Sequence, residues 1–140
     1  IFRRKAGALK GLAMSFIGEV IYLNFDKMVS EMEKYPDGDL YKECLFDMID
    51  GCADYVSAVT KMESYRSIPS KNGAEFREKL TQLDKTRTIF HNSLISKITV
   101  LNRICAKIGL EPVCADGLPR AEYGDFAFTV VKDFFEHRVR

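Results

Sequence analysis

Apolar residues recur along the chain at steps of three and four, the spacing that places them on one face of an α-helix. Proline and glycine breaks divide this pattern into four predicted helices, at about 9–34, about 39–67, 73–109 and about 121–138. No alternation typical of strands competes with it. We therefore predict an all-α fold, a four-helix antiparallel bundle in up-down-up-down order, with residues 1–140 forming a single domain.

The third predicted helix is the longest and carries one arginine on its apolar seam. Arg87 replaces an apolar residue there, and a guanidinium keeps its charge in a protein. If it is buried, it needs a carboxylate or carbonyl groups around it, either as a structural tie or as part of a site. The full seam is Phe76, Leu80, Leu83, Arg87, Phe90, Leu94, Ile98, Leu101, Cys105 and Ile108.

A row of polar residues borders this seam. Asp84, His91 and Asn102 lie on one line of the helix, about 70° from the seam at 100° per residue. Asp84, Arg87 and His91 fall within two turns and can meet. We predict a polar cluster that consists of these three residues and Asn102. It is either a tie from Arg87 to an acid such as Glu19 or a carbonyl, or an interhelical pocket in a sensor of small anionic ligands.

Apolar residues also lie on the side of the third helix opposite the seam. Ile89, Val100 and Ile104 share that side, with Asn92 and Arg103 on its flank. Either the helix is covered on both sides, or these five residues form an interface. We expect the partner to be a second copy of the chain, giving a homo-oligomer such as a homodimer, or a cognate protein.

The second predicted helix carries an acidic row opposite its apolar stripe. We expect these carboxylates to face solvent; the alternative is a docking surface for a basic partner. The row comprises Glu43, Asp47, Asp50 and Asp54.

Charge and composition narrow the function classes. The chain has 21 Lys and Arg against 20 Asp and Glu, a net charge of +1. This balance argues against a dedicated nucleic-acid binder, which would rely on positive charge to contact phosphates. The four cysteines form no Cys-x-x-Cys pair and there are only two histidines, so we expect reduced thiols, no metal and no cofactor. Glu19 interrupts the first apolar run, so we expect no membrane segment and a cytoplasmic location.

Part of the third helix resembles a known family. Residues 87–95, Arg-Thr-Ile-Phe-His-Asn-Ser-Leu-Ile, with 101–105, Leu-Asn-Arg-Ile-Cys, look like a segment of small bacterial all-helical proteins classed as a domain of unknown function. This resemblance implies a bacterial cytosolic protein and no particular activity.

The same segment is similar to the HEPN nuclease superfamily, helical bundles that cleave RNA with an arginine and a histidine on one helix. Here Arg87 and His91 have only three residues between them, fewer than is typical there, and Thr88 replaces the usual polar residue after the arginine. The resemblance implies Arg87 and His91 as catalytic residues of a metal-independent ribonuclease. Our leading hypothesis is instead a non-enzymatic helical bundle acting through protein contacts, in an immunity, regulatory or phage-related role.

Overall fold

The computed structural model describes residues 24–68, 73–115 and 117–138. Within these ranges the secondary structure is entirely helical, and the third helix is the longest, with 34 residues and a length of about 51 Å. The predicted all-α class with four helices is therefore confirmed. The helices are α1 Phe25–Met32, α2 Gly38–Arg66, α3 Ala74–Lys107 and α4 Arg120–Arg138.

The first predicted helix, about 9–34, is not continuous at Asn24. Asn24 has an extended backbone, and its side-chain oxygen accepts a hydrogen bond from the amide of Lys27 at 3.0 Å. An asparagine in this position caps a new helix and does not continue an old one. The prediction of one helix over 9–34 is therefore wrong at Asn24, and residues 9–23 lie outside the described residues.

A tight turn joins α1 to α2. A Cβ atom at Gly38 would collide with the backbone carbonyl of Met32 and crowd Glu33, so the close approach of the two helices requires glycine at this position.

The second helix is the centre of the fold and packs against each of the other three. Its inward face supplies more of the buried residues than any other helix, and the seam of α3 and the apolar face of α4 cover it from two sides. The largest side chains with almost no exposed surface are Met32, Leu45, Met48, Ile49, Leu94, Leu101, Val113 and Val130.

Ring contacts give the relative direction of α2 and α3. Tyr65, at the end of α2, stacks on Phe76, at the start of α3, with ring centroids 5.1 Å apart. Tyr55 lies 5.6 Å from His91, further along α3. Positions that ascend in α3 therefore meet positions that descend in α2, and the two helices are antiparallel.

The fourth helix also runs antiparallel to α2. A Cβ at Gly124 would lie 3.8 Å from the ring of Tyr55, whereas Phe134 lies 6.2 Å from Phe46 between ring centroids. Because α3 and α4 are both antiparallel to α2, they run in the same sense. The predicted up-down-up-down order therefore does not extend to α4.

Asn102 explains this departure, because it ties the connection after α3 back onto the helix. Its side-chain oxygen accepts a hydrogen bond from the amide of Val113 at 2.8 Å, and its side-chain nitrogen donates to the carbonyl of Cys114 at 3.0 Å. The connection thus doubles back along α3, and α4 begins beside His91, which contacts Tyr123.

We predict that Asn102→Ala lowers the free energy of unfolding by about 1–3 kcal/mol, because it leaves the amide of the buried Val113 without its hydrogen-bond acceptor. Urea denaturation followed by circular dichroism measures the change. Asn92→Ala, at an exposed position of the same helix, is the matched control and should change stability by less than about 0.5 kcal/mol. Equal stabilities of the two variants would contradict the role given to Asn102.

Candidate functional site

Arg87 lies on the inner side of α3, with 5% of its surface exposed. Its Nε donates to Oδ1 of Asp84 at 3.0 Å, and its Nη2 lies 2.9 Å from the same oxygen and donates to the hydroxyl of Thr88 at 3.0 Å. The third nitrogen, Nη1, is buried and has no hydrogen-bond partner among the described atoms. One of the two guanidinium ends is therefore left with spare donors.

The surroundings of Arg87 keep it charged. Burial lowers its pKa, but the bond to Asp84 and the phenol of Tyr55 beside it more than offset this, so the pKa lies above its ordinary value. Arg87 is thus a permanent cation at the edge of the core.

His91, one turn further along α3, is held between two tyrosines. The centroid of its ring lies 5.6 Å from that of Tyr55 on α2 and 5.6 Å from that of Tyr123 on α4, with the second pair at a steep angle. Only 8% of the residue is exposed, and its Nδ1 atom is buried without a partner among the described atoms. His91 therefore joins all three large helices at one point.

The charge state of His91 follows from the same setting. Burial lowers its pKa, and the positive charges of Arg120 and Arg87 lower it further. The imidazole is therefore more readily neutral than an exposed histidine at the same pH.

The structure brings three of the four predicted cluster residues together. Asp84, Arg87 and His91 lie side by side, with the side chain of Asp84 56% exposed at the rim. Asn102 lies about 16 Å further along the helix axis, where it binds the connection to α4. Glu19, the acid predicted as a partner for Arg87, lies outside the described residues.

Sequence reasoning missed the groups that other helices bring to this cluster. Tyr55 and Tyr123 fall at the apolar spacing of their helices, which predicts only that they are buried, and no sequence pattern marks Arg120. A phenol on a buried stripe normally requires a polar partner, which was the available signal for the two tyrosines. No comparable signal marks Arg120, because the path of the α3–α4 connection decides its position.

The predicted interface residues of α3 lie mostly at the surface. Ile89 is 65% exposed and Val100 is 43% exposed, Asn92 and Arg103 are exposed, and Ile104 is partly buried. No described residue covers Ile89 or Val100, so α3 is not buried on both sides. The predicted acidic row of α2 is exposed as well: Glu43, Asp47, Asp50 and Asp54.

The cysteines offer no activated thiol at their two most buried positions, Cys52 and Cys105. None of the four forms a disulfide, and burial raises the pKa of the Cys105 thiol to about 11 and raises that of Cys52 further still. Thiols in this state are weak nucleophiles. The part of the chain that the structure describes contains no group of three metal-ligating residues. None of the described helices is long and apolar enough to cross a membrane.

A separate shallow cleft of about 200 Å³ lies between α2 and α3. It does not include Arg87 or His91, so it is not the opening of the polar cluster. Its lining mixes two charged, two hydroxyl and three apolar side chains: Asp54, Lys61, Ser57, Thr86, Ala58, Leu83 and Phe90.

The sequence profile of one protein family, described as Protein of unknown function (DUF3232), matches residues 14–139. The chain belongs to this family. The match covers all four helices, so the resemblance to a helical family of unknown function is confirmed over nearly the whole chain. Neither the curated proteins nor the solved structures contain a match to the chain.

We predict that acidification destabilises the protein partly through His91. Its pKa is lower in the folded chain than its ordinary value of about 6.5, so stability is lost as the pH falls from that value towards the folded one. His91→Gln removes this titration. The free energy of unfolding, measured in urea at about pH 7.5 and about pH 5.5, should therefore fall less in the variant than in the wild type.

The variant keeps every carboxylate of the wild type, so the titration of these groups cancels in the comparison. If the two proteins lost the same stability on acidification, His91 would not be held in its neutral form by the fold.

Proposed function

We propose that this protein acts through protein–protein contact, and that the contact joins two unlike faces of neighbouring copies of the chain. The observation that carries the proposal is the absence of any acidic residue between Lys85 and Leu110, on a helix whose outer side exposes Ile89 and Val100. An exposed surface that is both basic and apolar is suited to an acidic, apolar protein surface.

The basic face lies along the outer side of α3. At 100° per residue, Lys107 falls on the same line as Ile89, and Lys85 and Arg103 fall within about 40° of it. Lys85, Arg103 and Lys107 are exposed. We define the basic face as Lys85, Ile89, Val100, Arg103 and Lys107.

A complementary surface exists on the same molecule. The four exposed carboxylates of α2 span a narrow arc opposite its core stripe, and two exposed apolar residues, Leu40 and Phe46, lie about 60° to either side of Glu43. We define the acidic face as Leu40, Glu43, Phe46, Asp47, Asp50 and Asp54. It offers to the basic face both opposite charge and apolar area.

Unlike faces are favoured over a symmetric contact through α3. A twofold dimer through the basic face would place the set Lys85, Arg103 and Lys107 against the same set of the second copy, and like charges in contact repel. The acidic and basic faces point away from each other on one molecule, since each is opposite the side of its helix that enters the shared core. One copy can therefore bind the next through a head-to-tail contact.

The ribonuclease alternative fits this geometry less well. It needs an RNA strand to reach Arg87 and His91, and each has less than a tenth of its surface exposed, with the ring of His91 held between two tyrosines. The exposed basic residues of α3 are separated from this pair by the width of the helix.

We predict concentration-dependent association in sedimentation velocity at low salt, with a return towards the monomer at about 1 M salt, where the Debye length is about 3 Å. Reversing either face, by Lys85→Glu with Arg103→Glu or by Asp47→Lys with Asp50→Lys, should abolish association. An equimolar mixture of the two double variants should restore it, because each reversed face then meets an opposite one.

The matched control is Lys27→Glu with Lys132→Glu. It makes the same change in net charge as Lys85→Glu with Arg103→Glu, but at exposed residues of α1 and α4. It should associate like the wild type. A wild-type chain that remains monomeric from micromolar to millimolar concentration would overturn the proposal, as would variants that associate in isolation.

A further inference from the structure

Two buried nitrogen atoms in the cluster on the inner side of α3 have no hydrogen-bond partner among the described atoms, although the phenol of Tyr55 also bonds the Arg87 side chain. Arg87 shares one carboxylate oxygen of Asp84 between two of its nitrogens, and the third nitrogen has no partner. Nδ1 of His91 is also buried without a partner among the described atoms. A buried polar atom without a hydrogen bond is costly, and more so when it carries charge, so two of them one helical turn apart require an explanation.

The local charge points to the same conclusion. Arg87 and Arg120 both act on His91, and the described carboxylate that bonds to this group, Asp84, lies at its rim with more than half of its side chain in solvent. The phenol of Tyr55 adds a further polar group beside Arg87. Asp84 balances only one of the two arginine charges.

The start of α4 lies against this group as well. The helix has 19 residues and begins at Arg120, and Tyr123 in its first turn contacts the imidazole of His91. The amino-terminal end of a helix carries a partial positive charge, so it adds to the attraction for an anion.

We infer that this cluster is a binding site for a small oxyanion, a phosphate or carboxylate group that accepts hydrogen bonds from Nη1 of Arg87 and from the imidazole of His91. Arginine is well suited to such groups, since its donors are fixed in a plane and its charge does not vary with pH. The bound anion offsets the positive charge that Asp84 leaves unbalanced.

The cluster has a solvent-facing side. Asp84, which bonds Arg87, is more than half exposed, and Arg120, whose charge acts on His91, is exposed as well.

The experiment is a titration of the full chain with inorganic phosphate, followed by nuclear magnetic resonance of the histidine side chains. Potassium chloride at equal ionic strength is the reference, and acetate tests for a carboxylate. The chain has two histidines, His91 and His137, so each can be followed separately. We expect the ring resonances of His91 to shift and saturate with phosphate, while those of His137 follow the chloride reference.

Thermal melting of the same samples gives an independent readout. Phosphate should raise the Tm of the wild type by several degrees beyond chloride, since a ligand that binds only the folded state stabilises it. A response to phosphate alone assigns the site to a phosphate group, and a response to phosphate and acetate assigns it to oxyanions in general.

Two variants separate binding from folding. Arg87→Met keeps the length of the side chain and removes the donors, so phosphate affinity should fall by about tenfold or more, the effect expected for loss of a charged hydrogen-bond donor. Arg66→Met is the matched control, because Arg66 also bonds an acid three residues earlier, Glu63, but lies in solvent. It should bind phosphate like the wild type.

Three results would overturn the inference. One is a His91 response to phosphate no larger than the response to chloride. Another is an equal loss of phosphate response in Arg66→Met and Arg87→Met. The third is the finding that Glu19→Gln lowers the Tm as much as Arg87→Met while phosphate has no effect, since an acid of the chain itself would then be the partner of Arg87. The chloride reference has the same ionic strength as the phosphate sample, so the effect of salt on self-association is the same in both and cancels in the comparison.

Discussion

The fold depends on the packing of the seam of α3 against α2. The seam is apolar for most of its length, so burying it provides the main favourable free energy for joining the two longest helices. The same contact carries Arg87 into the interior, because the arginine is itself a seam residue. It also fixes which side of α3 remains outside, and therefore where Ile89 and Val100 are exposed. The inner cluster and the outer face are two consequences of one packing arrangement.

The connection between α3 and α4 is the second constraint. Helices that follow each other in a bundle usually run antiparallel. Here Asn102 binds two backbone groups of the connection and turns the chain back along α3. The start of α4 therefore lies beside His91 and not beyond the end of α3. As a result, Arg120 and Tyr123 reach a cluster that α2 and α3 alone would leave open on one side. One partly buried amide side chain thus shapes both the topology and the candidate site.

The two proposals concern opposite sides of the same helix and different kinds of physical driving force. The outer side combines exposed charge with apolar area, so its contacts are sensitive to salt and concentration. The inner side combines permanent charge with burial. In such a place a missing hydrogen bond costs more free energy than at the surface, and a bound anion stabilises the fold more. Because Arg87 and Arg103 belong to one rigid helix but to different sides of it, each can be changed without removing the other.

The sequence by itself determined the helical class, the bounds of the last three helices to within about two residues, and the side of α3 on which each residue lies. These follow from local spacing and from breaks at proline and glycine, which act over a few residues. Sequence reasoning also identified Asp84, Arg87 and His91 as neighbours, since they share one helix. It could not find Tyr55, Tyr123 or Arg120, or the direction of α4. Only the tertiary structure decided these, because they depend on how distant segments pack, and that is set by the sum of many contacts and by the two hydrogen bonds of Asn102 rather than by any local pattern.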